Sequence, residues 1–134
     1  MYFEFTIKTG KKQEIVDISM KVREIVSKNP VKEGLCHIYV PHATAAVIIN
    51  ENYDPGICDD IINTLEKLIP SKGKYNHDRV DGNAHSHIKA SLIGPSKMVP
   101  IKDGKLQLGT WQGIAIADFD GPRERKVIVQ LLKD

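Results

Sequence analysis

Residues 97–132 read KMVPIKDGKLQLGTWQGIAIADFDGPRERKVIVQLL, and the fold class turns on them. Short β-branched and apolar runs are interrupted at Asp103-Gly104 and Asp120-Gly121, two dipeptides that favour hairpin turns. The pattern predicts strands over Lys97 to Ile101, Lys105 to Leu108, Gly113 to Phe119 and Arg125 to Leu132, arranged as a meander. The regular alternation of strand and helix that builds a parallel sheet is missing. The expectation is an α+β chain of antiparallel strands with about three helices.

Working outward, Gly94-Pro95 closes a short helix that begins after Asn83, a candidate N-cap. The polar segment from Ser71 to Gly82 reads as the longest irregular stretch. A longer helix starts at Asp54-Pro55, with Asp54 as cap and proline at the first helical position. Its apolar stripe is Ile57, Ile61, Leu65 and Leu68. Gly34 to Pro41 and Ala43 to Asn50 are rich in β-branched residues and read as strands. Tyr2 to Lys8 alternates as a half-buried strand does, and Glu14 to Asp17 reads as a second short one. Asp17 or Ser19 then caps a helix to about Lys28, stopped by Pro30.

With 134 residues, 41% of them hydrophobic and 27% charged, the chain fits one ordinary globular domain spanning residues 1–134. Nineteen basic and seventeen acidic residues leave a net charge of +2, too balanced for a nucleic-acid-binding face. No apolar run approaches the roughly 20 residues that span a bilayer. The N-terminus lacks the basic and apolar regions of a signal peptide. Cys36 and Cys58 lie in apolar stretches and read as buried free thiols, which points to the cytoplasm.

Candidate chemistry gathers around histidine. His42 follows Pro41 at the junction of two strands, His77 lies in the polar segment, and His85 and His87 open the short helix. His37 is mid-strand and reads as structural. Two helical residues spaced i, i+2 point about 200° apart and cannot grip one metal. On helical spacing, His87 falls beside Ala84, Ile88 and Ser91, next to the expected inward face, and His85 falls outward with Lys89. That leaves His42, His77 and His87, one from each of three segments, which suits a tetrahedral metal site with an open position. Glu51 at a strand end is placed to orient a histidine or bind a cation. Arg123 and Arg125 sit in a tight turn, and a guanidinium fork matches phosphate or carboxylate. Trp111, the single tryptophan, reads as core or as a pocket wall.

Three blocks carry a resemblance. They are His42-Ala-Thr-Ala-Ala with Asn50-Glu-Asn-Tyr-Asp-Pro55; Tyr75-Asn-His-Asp with Asn83-Ala-His-Ser-His-Ile-Lys-Ala-Ser-Leu-Ile-Gly94; and Leu108-Gly-Thr-Trp-Gln-Gly-Ile114 with Asp120-Gly-Pro-Arg123. With the spacing between them, they resemble the YjbQ-like family, often labelled secondary thiamine-phosphate synthase, over nearly the whole chain. The resemblance implies an α+β fold of β-sandwich character and a homotrimer. It also implies a weak thiamine-phosphate-synthase-like transferase activity, in which hydroxymethylpyrimidine diphosphate joins a thiazole phosphate and pyrophosphate leaves. The family's histidine pattern falls on His42, His77 and His87.

Three readings follow. In the first, an enzyme uses these histidines and Glu51 for catalysis, holds phosphorylated substrate with Lys89, Arg123, Arg125 and Trp111, and works with a divalent ion such as Mg²⁺. In the second, a metal-binding protein or hydrolase holds a Zn²⁺-like ion on His42, His77 and His87. In the third, a non-catalytic trimer binds a metabolite. None involves nucleic acid or membrane.

Overall fold

The chain, described over residues 1–134 by a computed structural model, runs β1 (Tyr2–Lys8), β2 (Glu14–Asp17), α1 (Ser19–Lys28), β3 (Gly34–Tyr39), β4 (Ala45–Asn50) and α2 (Pro55–Leu68). It continues with a 3-10 turn at Asn76–Arg79, then α3 (Ala84–Ile93), β5 (Ser96–Lys102), β6 (Lys105–Leu106), β7 (Gly113–Asp118) and β8 (Glu124–Lys133).

Every residue of β7 is buried. A strand covered on both faces reads as an unbroken apolar run rather than an alternating one, and the Gly113–Ala117 stretch is such a run. β7 is the centre of a three-stranded sheet ordered β2-β7-β4, and the other sheet is ordered β1-β8-β3-β5-β6. All pairings are antiparallel. The two sheets enclose the main core. Cys36, Ile38, Val99, Val127, Val129 and Leu131 come from one side and Ala45, Val47, Ile114 and Ile116 from the other, with Val22, Ile25 and Val26 of α1 added. On the opposite face of the small sheet, α3 and α2 cover Ala46, Ala117 and Phe119 with Ala90, Ile93 and Leu65. This is the α+β architecture with three helices that the sequence predicts.

The meander is corrected. Only β5 and β6 form the expected hairpin, and their turn has positive φ at both Asp103 (52°) and Gly104 (73°), the geometry that Asp-Gly favours. β7 and β8 lie in different sheets, so Asp120-Gly121 is a crossing between sheets and not a hairpin. The reason is covering: β7 needs apolar partners on both faces, which one flat meander cannot give it. Two caps also differ from expectation. Asp54 caps α2 as predicted, accepting from the Gly56 amide at 2.9 Å, a bond of the kind that contributes about 1 kcal/mol. The Asn83 side chain does not cap α3; Asp78 reaches the Ala84 amide instead, at 3.2 Å. At α1 the cap position is Ile18, and Asp17 accepts from the Ser19 amide. Both cysteines are free, Cys36 buried and Cys58 half-buried. No helix is long and apolar enough to cross a membrane.

Candidate functional site

The ends of β1, β7 and β8 meet the start of β4 at one end of the sandwich. Asp118 closes β7 and Arg125 lies at the start of β8, and both are buried, at 0% and 2% exposure. One Asp118 oxygen takes Arg125 Nη2 at 2.6 Å and the other takes the Thr9 hydroxyl at 2.6 Å. Arg125 Nη2 also donates to Thr44 at 2.7 Å. Burial pushes the Asp118 carboxyl up, but the hydrogen bonds from Arg125, Thr9 and the Asp120 amide outweigh it and hold the carboxyl below its usual range. Arg125 is therefore a strut across the sandwich, not the free anion hook that the turn suggested.

Arg123 is the exposed member of the pair. It is oriented by Asp120, whose carbonyl accepts from Nε at 2.7 Å and whose carboxylate accepts from Nη2 at 3.0 Å. Asp120 also accepts from Asn83 Nδ2 at 3.0 Å and lies 3.7 Å from Lys12. Asn83 Oδ1 faces this patch buried and without a partner.

The start of α3 adds a second network. Lys89 is fully buried, and its ammonium donates to Glu66 of α2 at 2.8 Å and to Gln13 at 3.2 Å, with His85 Nδ1 at 2.9 Å. A lysine ammonium can only donate, so His85 Nδ1 accepts and the ring's proton resides on Nε2. That atom lies 3.3 Å from the Ser86 hydroxyl, which spends its own proton on the Phe119 carbonyl at 2.6 Å. Burial first, and the Lys89 cation second, push the His85 pKa down and keep the ring neutral. Burial raises Glu66, but bonds from Lys89, Ser71 and Gln13 drive it well below the ordinary carboxylate range.

The expected facing of α3 is thus corrected at Ile88 and Lys89, while Ala84 is buried as expected. Ser86, Lys89 and Ala90 point inward, while Ile88 and Leu92 are exposed. Helical spacing puts Lys89 outside; a complete set of partners lets it lie inside. His85, set aside on spacing, is the histidine held in the network.

The three-histidine centre does not form within the chain. His77 and His87 stand edge to face with ring centres 4.8 Å apart, and His77 lies 3.7 Å from Asp81. His42 belongs to the Arg125 side, where its Nε2 accepts from the Lys126 amide at 2.8 Å. Its pKa is lowered by burial first and by the Arg125 charge second. No group of three histidine, cysteine or acidic side chains is disposed to hold a metal ion. Within one chain, His42, His77 and His87 are therefore not gathered as a three-histidine centre.

Glu51 and Trp111 lie elsewhere. Glu51 follows β4 and Trp111 precedes β7, beside a cluster in which Asn52 donates to Asp17 at 3.0 Å. A Cβ on Gly113 would crowd Asn52, Ser19 and Asp17, so the close approach of β7 to this cluster requires glycine. Asp118 and Gly113 stand at opposite ends of β7, about 17 Å apart at the ordinary strand rise.

A family model described as UPF0047 protein YjbQ-like matches residues 3–134. A UPF0047 protein of Methanocaldococcus jannaschii is 49% identical over 134 residues, covering 100% of this chain and 96% of that one. The UPF0047 protein YugU of Bacillus subtilis is 36% identical over 126 residues, covering 94% and 95%. Among solved structures, a YbjQ-like protein of unknown function from Sulfolobus solfataricus is similar with a TM-score of 0.97 at 36% identity, covering 100% of this chain and 97% of that one.

Proposed function

The chain belongs to the YjbQ-like UPF0047 family, and on that footing we propose that it is a transferase of phosphorylated small molecules of the thiamine-phosphate-synthase type. In such a reaction the pyrimidine's methylene carbon leaves its diphosphate oxygen and bonds to the thiazole nitrogen. The electron pair departs on pyrophosphate, which calls for positive charge and hydrogen-bond donors at the departing oxygen. One observation carries the reading: a neutral His85 with its proton on Nε2 is fixed by buried Lys89 close to the Asp120–Arg123 pair. Arg123 supplies a guanidinium for phosphate, neutral His85 a hydrogen-bond donor through Nε2–H, and Mg²⁺ accompanies the diphosphate as its counter-ion.

The test is to mix the purified protein with both precursors and Mg²⁺. Product forms, His85→Ala lowers the rate about 100-fold, and His87→Ala stays within a few-fold of the parent. No product above a protein-free control overturns the reading.

The same proposal has the chain working in the cytoplasm as a homotrimer. Leu35, Tyr39, Met98 and Leu132 are all exposed on the outer face of the five-stranded sheet, with Leu35 paired directly to Leu132. An apolar face of this kind favours a partner. Light scattering then gives three times the 15.0 kDa chain mass, and a monomer mass removes the trimer.

A further inference from the structure

Strand β4 is an edge of the three-stranded sheet: β7 pairs with one side of it and no strand pairs with the other. The Phe119 amide donates to the Thr44 carbonyl at 3.0 Å. Antiparallel alternation then turns the backbone groups of Ala46, Ile48 and Asn50 toward β7 and those of Ala45, Val47 and Ile49 away from it. Val47 donates outward to the Gly94 carbonyl at 3.1 Å, where the turn between α3 and β5 abuts the strand. Past that point the edge is open, and the Ile49 amide and the Val47 and Ile49 carbonyls have no backbone partner. An open edge of this kind is a template for another strand.

A groove of about 510 Å³ runs along the same edge. The apolar stripe of α2 walls it with Ile57, Ile61 and Leu65, none of them fully buried. Helix α2 starts shortly after β4 ends and carries Leu65 back to the cluster that holds Ala46, so it runs antiparallel to the strand. From Ile57 to Leu65 the helix advances about 12 Å, the reach of about four extended residues.

The two charges that line the groove stand at opposite ends of it. Asp60, in the first half of α2, lies toward Ile49; Lys97 follows the Gly94 turn that closes the other end. Lys97 is half-buried, and its ammonium donates to the Ile93 carbonyl at 2.8 Å. Neither Lys97 nor Asp60 has an ion-pair partner in the chain. A partly desolvated ammonium with donors to spare favours an anion.

We propose that this edge takes the apolar C-terminus of another polypeptide, added antiparallel to β4. An antiparallel strand ends against the Gly94 turn, which sets its terminal carboxylate at Lys97 and a basic residue about three positions earlier at Asp60. A parallel strand would bring its terminal ammonium to Lys97, and like charges disfavour it. Main-chain bonds to Val47 and Ile49 hold the added strand, and the α2 stripe selects apolar side chains at alternate positions. Binding here is independent of the transferase reaction, so neither result decides the other.

The probe is the tetrapeptide Lys-Val-Ile-Val with a free C-terminus, titrated to about 1 mM into ¹⁵N-labelled protein. Saturable shifts are expected in β4 and α2. At saturation the Ile49 amide exchanges at least about fivefold more slowly, while the Ile48 amide, already turned to β7, is unchanged. The C-terminal amide of the same peptide binds at least about tenfold more weakly. Lys97→Met weakens the free acid by the same factor, and Lys97→Arg stays within a few-fold of the parent. No shift at about 1 mM overturns the site. Equal binding of acid and amide, or an Ile49 amide that does not respond, overturns it too. If the Ile49 amide of the peptide-free protein already exchanges as slowly as those of β7, a second copy of this chain covers the edge and the proposal falls.

Discussion

Replacing Asp118 by asparagine is expected to lower the unfolding free energy by about 3–5 kcal/mol, the range for breaking a buried ion pair by removing one partner. Arg125 would remain at 2% exposure with no counter-charge. A guanidinium cannot escape by losing its proton, so the full cost stays in the folded state. Thr9 and the Asp120 amide lose their charged acceptor at the same time. Urea denaturation reads the loss, and a change below about 1 kcal/mol contradicts the strut role. Removing both charges together, as Asp118→Leu with Arg125→Met, is expected to restore most of the stability, because the unpaired charge disappears. The acid side gives an independent check. The Asp118 carboxyl is held below its unfolded value, so it contributes stability that is fully present above about pH 4 and is lost as pH falls through its folded value. The asparagine variant lacks that part of the acid transition.

The fold was legible wherever the sequence carried a local reason for its shape. Asp54-Pro55 starts a helix because its cap is a neighbour in sequence, and Asp103-Gly104 turns a hairpin because two positive φ angles must be accommodated. β7 was legible as a strand but not as the centre of its own sheet, since an unbroken apolar run says only that both faces are covered, not by what. The site failed at the same kind of point. Lys89 lies inside because Glu66 comes 23 residues earlier and Gln13 76 residues earlier in the chain, and no spacing rule sees such partners. With Lys89 placed outward, His85 goes with it, and the spacing favours His87, which the structure leaves half-buried against His77. Asp118 had a readable signal: an acid ending an apolar run, seven residues before an arginine. The turn between them presents Arg123 and Arg125 as a pair, whereas the structure leaves Arg123 exposed beside Asp120 and buries Arg125 on Asp118.

The second large effect is expected at Glu66. Changing it to glutamine leaves the Lys89 ammonium, 0% exposed, with two neutral neighbours, Gln13 and His85. The expected loss is about 3 kcal/mol, at the low end for a buried pair, because Glu66 itself keeps 38% of its side chain in water. Glu66 is the link between α2 and the site: no residue of α2 is fully buried, and its carboxylate also holds the Ser71 amide and hydroxyl at 2.7 Å each. The loss therefore falls on α2 docking first, and hydrogen exchange should quicken in α2 before it does in β7. The sign with pH follows from direction. The Glu66 carboxyl is depressed in the fold, so it stabilises fully above its unfolded value of about 4.3 and ceases to do so as pH falls. The gap between parent and Glu66→Gln should be widest near neutrality and close below that value. A gap that stays constant down to pH 3 would assign the loss to shape and not to charge. A double cycle with Lys89→Met separates the two: coupling above about 1 kcal/mol is expected if the ammonium and carboxylate act as a pair. Because Lys89 fixes the tautomer of His85, Lys89→Met should also depress the proposed transferase reaction without any change at the histidine itself.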